Sequence, residues 1–394
     1  MILYYKFKNF YSFAEETLVD FRLTGKAPQN RLSHALASGQ RVSKVMAVIG
    51  PNASGKTTLI KPLAFLSWFV GGSFFSRDKT ILTKSHFFAD SDICEFEAGF
   101  EVDEVEYRYE LKVSEDQVYR EALYKKQTKS FSYLFRREWN KASQQYDYSQ
   151  QGFGFSKADA QRVAKHVSII SAAAQYGVDS ALRLVDMADT VQHNLNKLGR
   201  RHYGPSSLFQ AAEFYSDQPA YMADMSKLLN QFDLGLENVD ILEREVQQGS
   251  ELVKVKIPYG VHRREDKLLS LPLTSESSGT QSAFVLLHLL LPALAEGGLA
   301  VIDEMEADLH PHMIEPIINL FLNKETNPHN AQIIFTCHAV NVLNWLNKGQ
   351  VMLVEKCQEG NSEAWRLDSI DGVRPDDNLL AKYNAGAYGA TPNI

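Results

Sequence analysis

Residues 50–57 carry the residue types that bind phosphate groups. They match the pattern G-x-x-x-x-G-K-[ST] in full, as Gly50, Pro51, Asn52, Ala53, Ser54, Gly55, Lys56 and Thr57, with Thr58 directly after them. Glycines let the backbone curl with its N–H groups turned inward, and the following helix adds its N-terminal donors. Lys56 would bring positive charge to the β- and γ-phosphates, and Thr57 a hydroxyl to Mg²⁺. The segment predicts a nucleoside triphosphate site that includes Thr58; the alternative is a chance match.

A pair of acidic residues ends an apolar segment later in the chain. Leu299–Ile302 has the pattern of a short buried strand, and Asp303 and Glu304 follow it directly. In enzymes with a phosphate-binding loop, the first acid holds Mg²⁺ and the second polarises the attacking water. We therefore predict that Asp303 is a metal ligand and that Glu304 is the general base. The alternative is that two acids at a strand end are simply solvated.

Two further motifs flank the acidic pair. Residues 277–281, which are rich in serine, precede an apolar stretch that predicts a helix beginning near Ser282. Taken alone, this turn is typical of a helix cap. After the acidic pair, residues 333–336 predict a buried strand that ends at Cys337 and His338. A histidine at the carboxyl end of a strand lies where ligands bind in open α/β sheets.

The hydrophobic patterns predict the elements that position these motifs. Val45–Ile49 is a β-branched strand pattern that leads into the phosphate loop, and after about residue 283 helix and strand patterns alternate, as in a parallel sheet. Val105–Val113 alternates apolar and polar residues, which predicts an antiparallel meander over about 93–150. Residues from about 156 to 233 have helical patterns. The predicted fold is α/β: a P-loop head with an antiparallel β meander and an inserted helical subdomain.

These patterns suggest three parts of the chain. Residues 1–155 would form an N-terminal lobe with the phosphate loop and the meander, and residues 156–250 a helical insertion. Residues 251–394 would form a C-terminal lobe with the serine-glycine turn, the Asp-Glu strand and the histidine.

Composition excludes several classes of protein. With 394 residues, 44% hydrophobic and 23% charged, the chain has an ordinary globular composition, and its net charge of −7 argues against a wholly basic nucleic-acid sleeve. The longest apolar runs, 62–75 and 283–295, are shorter than the roughly 20 residues of a membrane span, and no signal-peptide pattern opens the chain. Three cysteines without paired spacing fit a reducing cytosol. We therefore expect a cytoplasmic protein that does not associate with membranes.

Local basic pairs leave a nucleic-acid partner open. Each pair is typical of a solvated surface, although a dimer could align some of them along nucleic acid. The pairs are Lys125–Lys126, Arg136–Arg137, Arg200–Arg201 and Arg263–Arg264.

The order of the motifs resembles that of ATP-binding-cassette ATPases, which implies an ABC-type head that binds ATP and Mg²⁺. By this resemblance Ser278, Gly279 and Gln281 correspond to the signature motif, and His338 to the switch histidine that contacts the γ-phosphate. Asp308 lies where the aspartate loop between protomers is expected. In that family the signature of one protomer completes the nucleotide site of another. The resemblance therefore implies a head-to-tail homodimer or a higher homo-oligomer.

Other segments narrow the resemblance. Residues 5–13 resemble the start of RecF/SMC-type heads, and residues 304–306 and 309–311 resemble the overcoming-lysogenization-defect and abortive-infection ATPases. Residues 383–392 resemble the tail of AAA/ABC-type ATPases from bacterial phage-defence operons, such as the AbiL type. The resemblance implies an ATP hydrolase that controls a separate nuclease or toxin, with nucleic acid or a phage protein as trigger. A RecF/SMC-like DNA-binding ATPase in DNA repair or chromosome maintenance is the alternative.

Overall fold

The structure is a computed structural model that describes residues 1–24, 31–232, 234–248, 251–307 and 309–392. It contains one large antiparallel sheet and one mostly parallel sheet, with smaller sheets beside them. We number helices and strands along the chain.

The antiparallel sheet has seven strands and confirms the predicted meander. Its members are β1 (Ile2–Lys8), β2 (Thr17–Asp20), β7 (Cys94–Val102), β8 (Val105–Val113), β9 (Val118–Lys126), β10 (Phe131–Asn140) and β11 (Gln145–Gln150). Their order is β11-β10-β9-β8-β7-β1-β2. In β8 the alternate residues Tyr109, Leu111 and Val113 are buried, as the sequence pattern predicts.

The mostly parallel sheet holds the strands that end at the predicted site. Its members are β6 (Val45–Ile49), β12 (Val191–His193), β18 (Leu299–Ile302), β19 (Gln332–Thr336), β20 (Val351–Lys356) and β21 (Ser362–Arg366). The order is β12-β18-β19-β6-β20-β21, with only the β20–β21 pair antiparallel. Because β18, β19 and β6 are adjacent and parallel, their carboxyl ends meet at one edge of the sheet.

Helices pack on both faces of this parallel sheet. They are α1 (Lys56–Gly72), α2 (Lys157–Ala160), α3 (Ile169–Gln175), α4 (Asp179–Asp189), α5 (Pro205–Asp217), α6 (Pro219–Gln231), α7 (Ser278–Glu296), α8 (Ile314–Leu322) and α9 (Leu379–Asn384). Side chains of α1, α3 and α4 share a hydrophobic core with the antiparallel sheet, whereas α5 to α9 contribute to a second core. Alternate residues of β6 point into different cores. Met46 and Val48 lie in the core shared with the antiparallel sheet, and Ala47 and Ile49 lie in the core formed with α5 to α9. The predicted α/β head with an antiparallel meander is confirmed.

Three smaller sheets complete the described structure. One contains β3 (Arg22–Leu23), β4 (Ser33–Ala35) and β5 (Arg41–Ser43), and a short hairpin contains β13 (Leu195–Asn196) and β14 (Gly199–Arg200). The third contains β15 (Asn238–Gln248), β16 (Glu251–Arg264) and β17 (Lys267–Pro272).

The segment from 156 to 233 departs from its helical prediction over residues 191–200, where the short strands β12, β13 and β14 lie. Helices α2 to α6 account for most of it, but residues 191–193 form β12, whose Val191 pairs in parallel with Leu299. Three residues are too few to show a strand period, and pairing with β18 decides their conformation. The division of the chain at residues 155 and 250 remains a prediction.

Among the described residues, two helices are long and apolar enough to cross a membrane, judged by length and composition alone. They span Lys56–Phe75 and Ser278–Glu296, and 50% and 67% of their most apolar windows are buried inside the protein. Both line the hydrophobic cores described above. Their apolar character is therefore explained by packing within the head.

Candidate nucleotide-binding site

The phosphate loop lies between β6 and α1, where two glycines permit close packing. A Cβ atom on Gly50 would lie 2.0 Å from the Val354 carbonyl oxygen, and one on Gly55 would lie 2.4 Å from Ser362 Oγ. Gly55 also has a φ of 111°, in the left-handed region that favours glycine. The phosphate loop therefore packs directly against strands β20 and β21.

Lys56 provides the phosphate loop with a buried positive charge. Its buried Nζ donates to the carbonyl oxygens of Gly50 and Pro51, both at 2.9 Å. Burial lowers the pKa of the Lys56 ammonium below its ordinary value, while the carboxylates of Asp303 and Glu306 act to raise that pKa. No described side chain caps α1, so its first amides lack the intrahelical acceptors that phosphate oxygens could replace.

Other residues of the predicted loop surround this cation. Ser54 Oγ is buried without a hydrogen-bond partner among the described residues. Asn52 and Ala53 are exposed, and Thr58 is half-buried in the first turn of α1. An orphaned buried hydroxyl and free helix amides are what a bound phosphate group would satisfy.

Asp303 links the phosphate loop to the end of β18. Thr57 Oγ1 donates to its two carboxylate oxygens at 3.0 and 2.8 Å, and Thr336 Oγ1 donates at 2.7 Å. Asp303 is only 2% exposed, and burial raises its pKa above the ordinary value, against hydrogen bonds from Thr336 and Thr57 that lower it. Hydroxyl and carboxylate oxygens are the donors that Mg²⁺ prefers, so Thr57 and Asp303 fit that ion.

The end of β18 is held from both neighbouring strands by residues that the sequence patterns missed. Asn194, which follows β12, accepts from the Asp303 N–H at 2.7 Å and donates to the Asp303 carbonyl at 2.9 Å. On the other side, Thr336 Oγ1 accepts from the Glu304 N–H at 2.8 Å. Asn194 and Thr336 are both buried. They fix the backbone of the acidic pair, which preorganises its side chains.

Glu304 projects from a strained backbone. Its φ is 49°, in the left-handed region that non-glycine residues rarely adopt, and its side chain is 43% exposed. Its Oε2 lies 3.4 Å from Nε of Arg200, a third residue that the sequence patterns did not assign to the site. The predicted role of Glu304 as general base remains a prediction.

His338 follows β19, adjacent to the end of β18. Its backbone N–H donates to Glu306 Oε1, and its side chain is exposed. The other oxygen of that carboxylate, Oε2, is buried without a partner among the described residues. The structure thus places His338 at the same sheet edge as Asp303, and its contact with a γ-phosphate stays a prediction.

The signature residues lie inside the first turn of α7 rather than before it. The helix begins at Ser278, not near Ser282, because Ser277 Oγ accepts from the Thr280 N–H at 3.1 Å and so forms the cap. Ser278 is exposed, while Gly279 and Gln281 are half-buried. The side-chain amide of Gln281 donates to the Glu276 carbonyl at 2.9 Å, within its own turn.

Glu276, just before the first turn of α7, is bound to strand β16. The Glu276 Oε1 atom lies 2.6 Å from Nε2 of His262 in β16, and this hydrogen bond raises the pKa of His262 above its ordinary value. Asp308, assigned to the aspartate loop, lies outside the described residues.

The profile of a protein family described as "AAA domain, putative AbiEii toxin, Type IV TA system" matches residues 45–344, which is more than half of the chain. The chain belongs to this family. The match spans the phosphate loop, the acidic pair and His338, so the AAA domain of the family contains the site described above. Membership confirms the predicted relation to AAA/ABC-type ATPases of the abortive-infection type and makes the chain an ATPase-type protein.

Solved structures similar to this AAA-domain chain include three SMC heads. An SMC head bound to the C-winged helix domain of ScpA is 13% identical, with a TM-score of 0.48 over 93% of this chain and 98% of that chain. The SMC head domain from Thermotoga maritima is 14% identical, with a TM-score of 0.43 over 93% and 98%. An Smc head domain with a coiled coil and joint from Pyrococcus yayanosii is 10% identical, with a TM-score of 0.45 over 98% and 99%. No curated protein sequence matches the chain.

Proposed function

We propose that the chain hydrolyses ATP with Mg²⁺, that two copies close head to tail around the nucleotide, and that this state controls a separate effector, a nuclease or toxin, in defence against phage. The observation that carries the proposal is the junction of Thr57, Asp303 and Thr336. There the phosphate loop and the acidic strand are joined by hydrogen bonds of 2.7 to 3.0 Å.

The residues at this junction and around it have distinct chemical tasks. The loop amides and Lys56 bind and orient the phosphates, and Glu304 accepts a proton from the attacking water. The positive charge that offsets the reacting phosphate oxygens is supplied by Mg²⁺ when Thr57 and Asp303 hold it. Asn194 and Thr336 keep the acidic pair in place, so little reorganisation is needed during the reaction.

The exposed first turn of α7 supports head-to-tail assembly. Ser278 is exposed, and Ser277 Oγ caps the turn by accepting a hydrogen bond from the Thr280 N–H. The cap occupies the Thr280 N–H, and the N–H groups of Ser278 and Gly279, which precede it in the turn, would be available to a phosphate group bound by a second copy. In this arrangement ATP joins the two protomers, and hydrolysis weakens the contact.

Substituting Gly279 by glutamate tests the assembly. A carboxylate in the first turn would repel the phosphates of the opposing site, so we expect Gly279→Glu to form far fewer dimers with ATP than the wild type does. Sedimentation velocity with Mg²⁺ and a non-hydrolysable ATP analogue measures the dimer fraction. Glu315→Gln, an exposed change in the first turn of α8, is the control. Equal dimer fractions in all three proteins would contradict the signature assignment.

A role in controlling an effector predicts a nucleotide-dependent complex. The family description names a putative toxin of a Type IV TA system, and a toxin–antitoxin system has two protein components, which supports a partner for this chain. We expect native mass measurement of the co-expressed operon products to show a complex whose composition differs between ATP and ADP. The same complex with either nucleotide, or none, would contradict this part of the proposal.

The alternative of a RecF/SMC-like DNA-binding ATPase has less support because several basic residues are already paired with acidic ones. Arg137 is fully buried with its Nη1 3.8 Å from Glu121 Oε2, and Arg263 Nη2 lies 2.7 Å from Glu237 Oε1. Lys126 pairs with Glu106. These pairs reduce the positive charge available to phosphates. Co-purification of nucleic acid only in the presence of ATP would favour the alternative.

A further inference from the structure

Arg200 brings a positive charge to the acidic pair at the end of β18. Its Nε lies 3.4 Å from Glu304 Oε2, and its side chain is only 12% exposed. This Nε is buried and makes no hydrogen bond to the described residues, while Nη2 lies 3.1 Å from His202 Nδ1. The guanidinium is therefore held beside Glu304 by charge.

The hairpin of β13 and β14 fixes the position of Arg200. Asn196 Oδ1 accepts from the N–H groups of Leu198 at 2.8 Å and Gly199 at 3.1 Å, which closes the turn. Gly199 has a φ of 134°, and a Cβ atom there would lie 3.9 Å from the methyl group of Thr57. The hairpin thus packs against the residue that joins the phosphate loop to Asp303.

We propose that Arg200 is a positioning residue for Glu304, which holds the carboxylate where the attacking water is activated. The inference rests on the proposed ATPase function, because it assigns a partner to the general base. Glu304 needs such a partner: its side chain is 43% exposed, and both Asp303 and the phosphates of ATP would repel it. A mostly buried guanidinium attracts a carboxylate more strongly than a surface cation does, and its stiff, planar group offers that charge from a fixed place.

Steady-state kinetics of single variants test the role. We expect Arg200→Ala to lower kcat for ATP hydrolysis about 10- to 100-fold, the size of effect that misplacing a reacting group produces, with ATP affinity unchanged. Arg200→Lys keeps the charge but places it on a more flexible side chain, so its kcat should lie between those of the wild type and Arg200→Ala. Arg201→Ala is the matched control, because it removes the same charge from the next, exposed residue.

A double variant separates positioning from a purely structural role. If Arg200 acts through the Glu304 carboxylate, adding Arg200→Ala to Glu304→Gln should slow hydrolysis no further than Glu304→Gln alone. A structural role would instead slow both backgrounds by the same factor. Should Arg200→Ala unfold, the comparison is made with Arg200→Lys.

Three results would overturn the inference. They are a wild-type kcat in Arg200→Ala, equal losses in the two backgrounds, and a loss of ATP affinity that accounts for the slower hydrolysis. The proposed function fails by a different result, namely absence of ATP hydrolysis by the wild-type protein. Hydrolysis by the wild type, slowed by Glu304→Gln and unaffected by Arg200→Ala, would refute the role of Arg200 alone.

Discussion

Replacement of Lys56 by alanine is expected to abolish ATP binding. The Lys56 ammonium already occupies the loop, where it donates to the carbonyl oxygens of Gly50 and Pro51 at 2.9 Å. With ATP bound, it would donate to phosphate oxygens instead, and each hydrogen bond to a charged group contributes about 1.5–3 kcal/mol. Loss of two such bonds would weaken binding at least ~100-fold. Isothermal titration calorimetry with ATP and Mg²⁺ measures this loss.

A control must separate the lost contact from a lost fold. Lys254→Ala removes a lysine from the surface of β16, where Lys254 Nζ lies 2.7 Å from Glu243 Oε1 and the side chain is 66% exposed. We expect this variant to bind ATP as the wild type does. Lys56→Ala should also keep the wild-type circular dichroism spectrum, because the buried ammonium donates to carbonyl oxygens of the phosphate loop itself and so does not tie distant elements together. Undiminished affinity in Lys56→Ala would refute the assignment of residues 50–57 to phosphate binding.

Local sequence patterns predicted much of the sheet that carries the site. Val45–Ile49 and Leu299–Ile302 are uniformly apolar, and both are buried central strands of a parallel sheet. The alternation in Val105–Val113 likewise identified an antiparallel strand with one buried face. These predictions succeeded because the order of apolar and polar residues indicates directly which side chains of a strand are buried.

The residues that hold the acidic pair in place could not be found in this way. Asn194 acts through its side-chain amide on the backbone of Asp303, a partner 109 positions away in the sequence. It follows a three-residue strand in a region of helical patterns, so no local period indicates its position. Arg200 was visible only as half of a basic pair with Arg201, and nothing in the pair shows which member faces the acids. Such contacts depend on the tertiary structure and leave no periodic signal.

The start of α7 shows a different limit of prediction from sequence patterns. The apolar stretch alone predicted a helix start near Ser282, whereas the Ser277 cap places it at Ser278. Serine suits both a loop and a helix cap, and only the bond between Ser277 Oγ and the Thr280 N–H decides between them. The change moves Gly279 into a helical turn, which gives its amide the direction of the helix axis.

Glu304→Gln is expected to separate ATP binding from hydrolysis. The amide matches the carboxylate in shape but cannot accept a proton from water, and general bases contribute about 10²- to 10⁴-fold to rate. We expect kcat to fall by at least ~10²-fold, equivalent to about 3 kcal/mol of transition-state stabilisation, while ATP affinity is kept or increased. Because the nucleotide persists, ATP-bound dimers should accumulate. Phosphate release and sedimentation with ATP measure the two effects.

The geometry around Glu304 argues against Asp303 as the general base and leaves Glu306 as the alternative. Asp303 accepts hydrogen bonds from Thr57 and Thr336, which leaves it suited to hold a metal ion rather than to receive a proton. Glu306 has one oxygen bonded to the His338 N–H, but its other oxygen is buried and unpartnered among the described residues. Hydrolysis at the wild-type rate in Glu304→Gln would therefore contradict our assignment and direct attention to Glu306. Glu306→Gln would then be expected to remove the activity that Glu304→Gln had left.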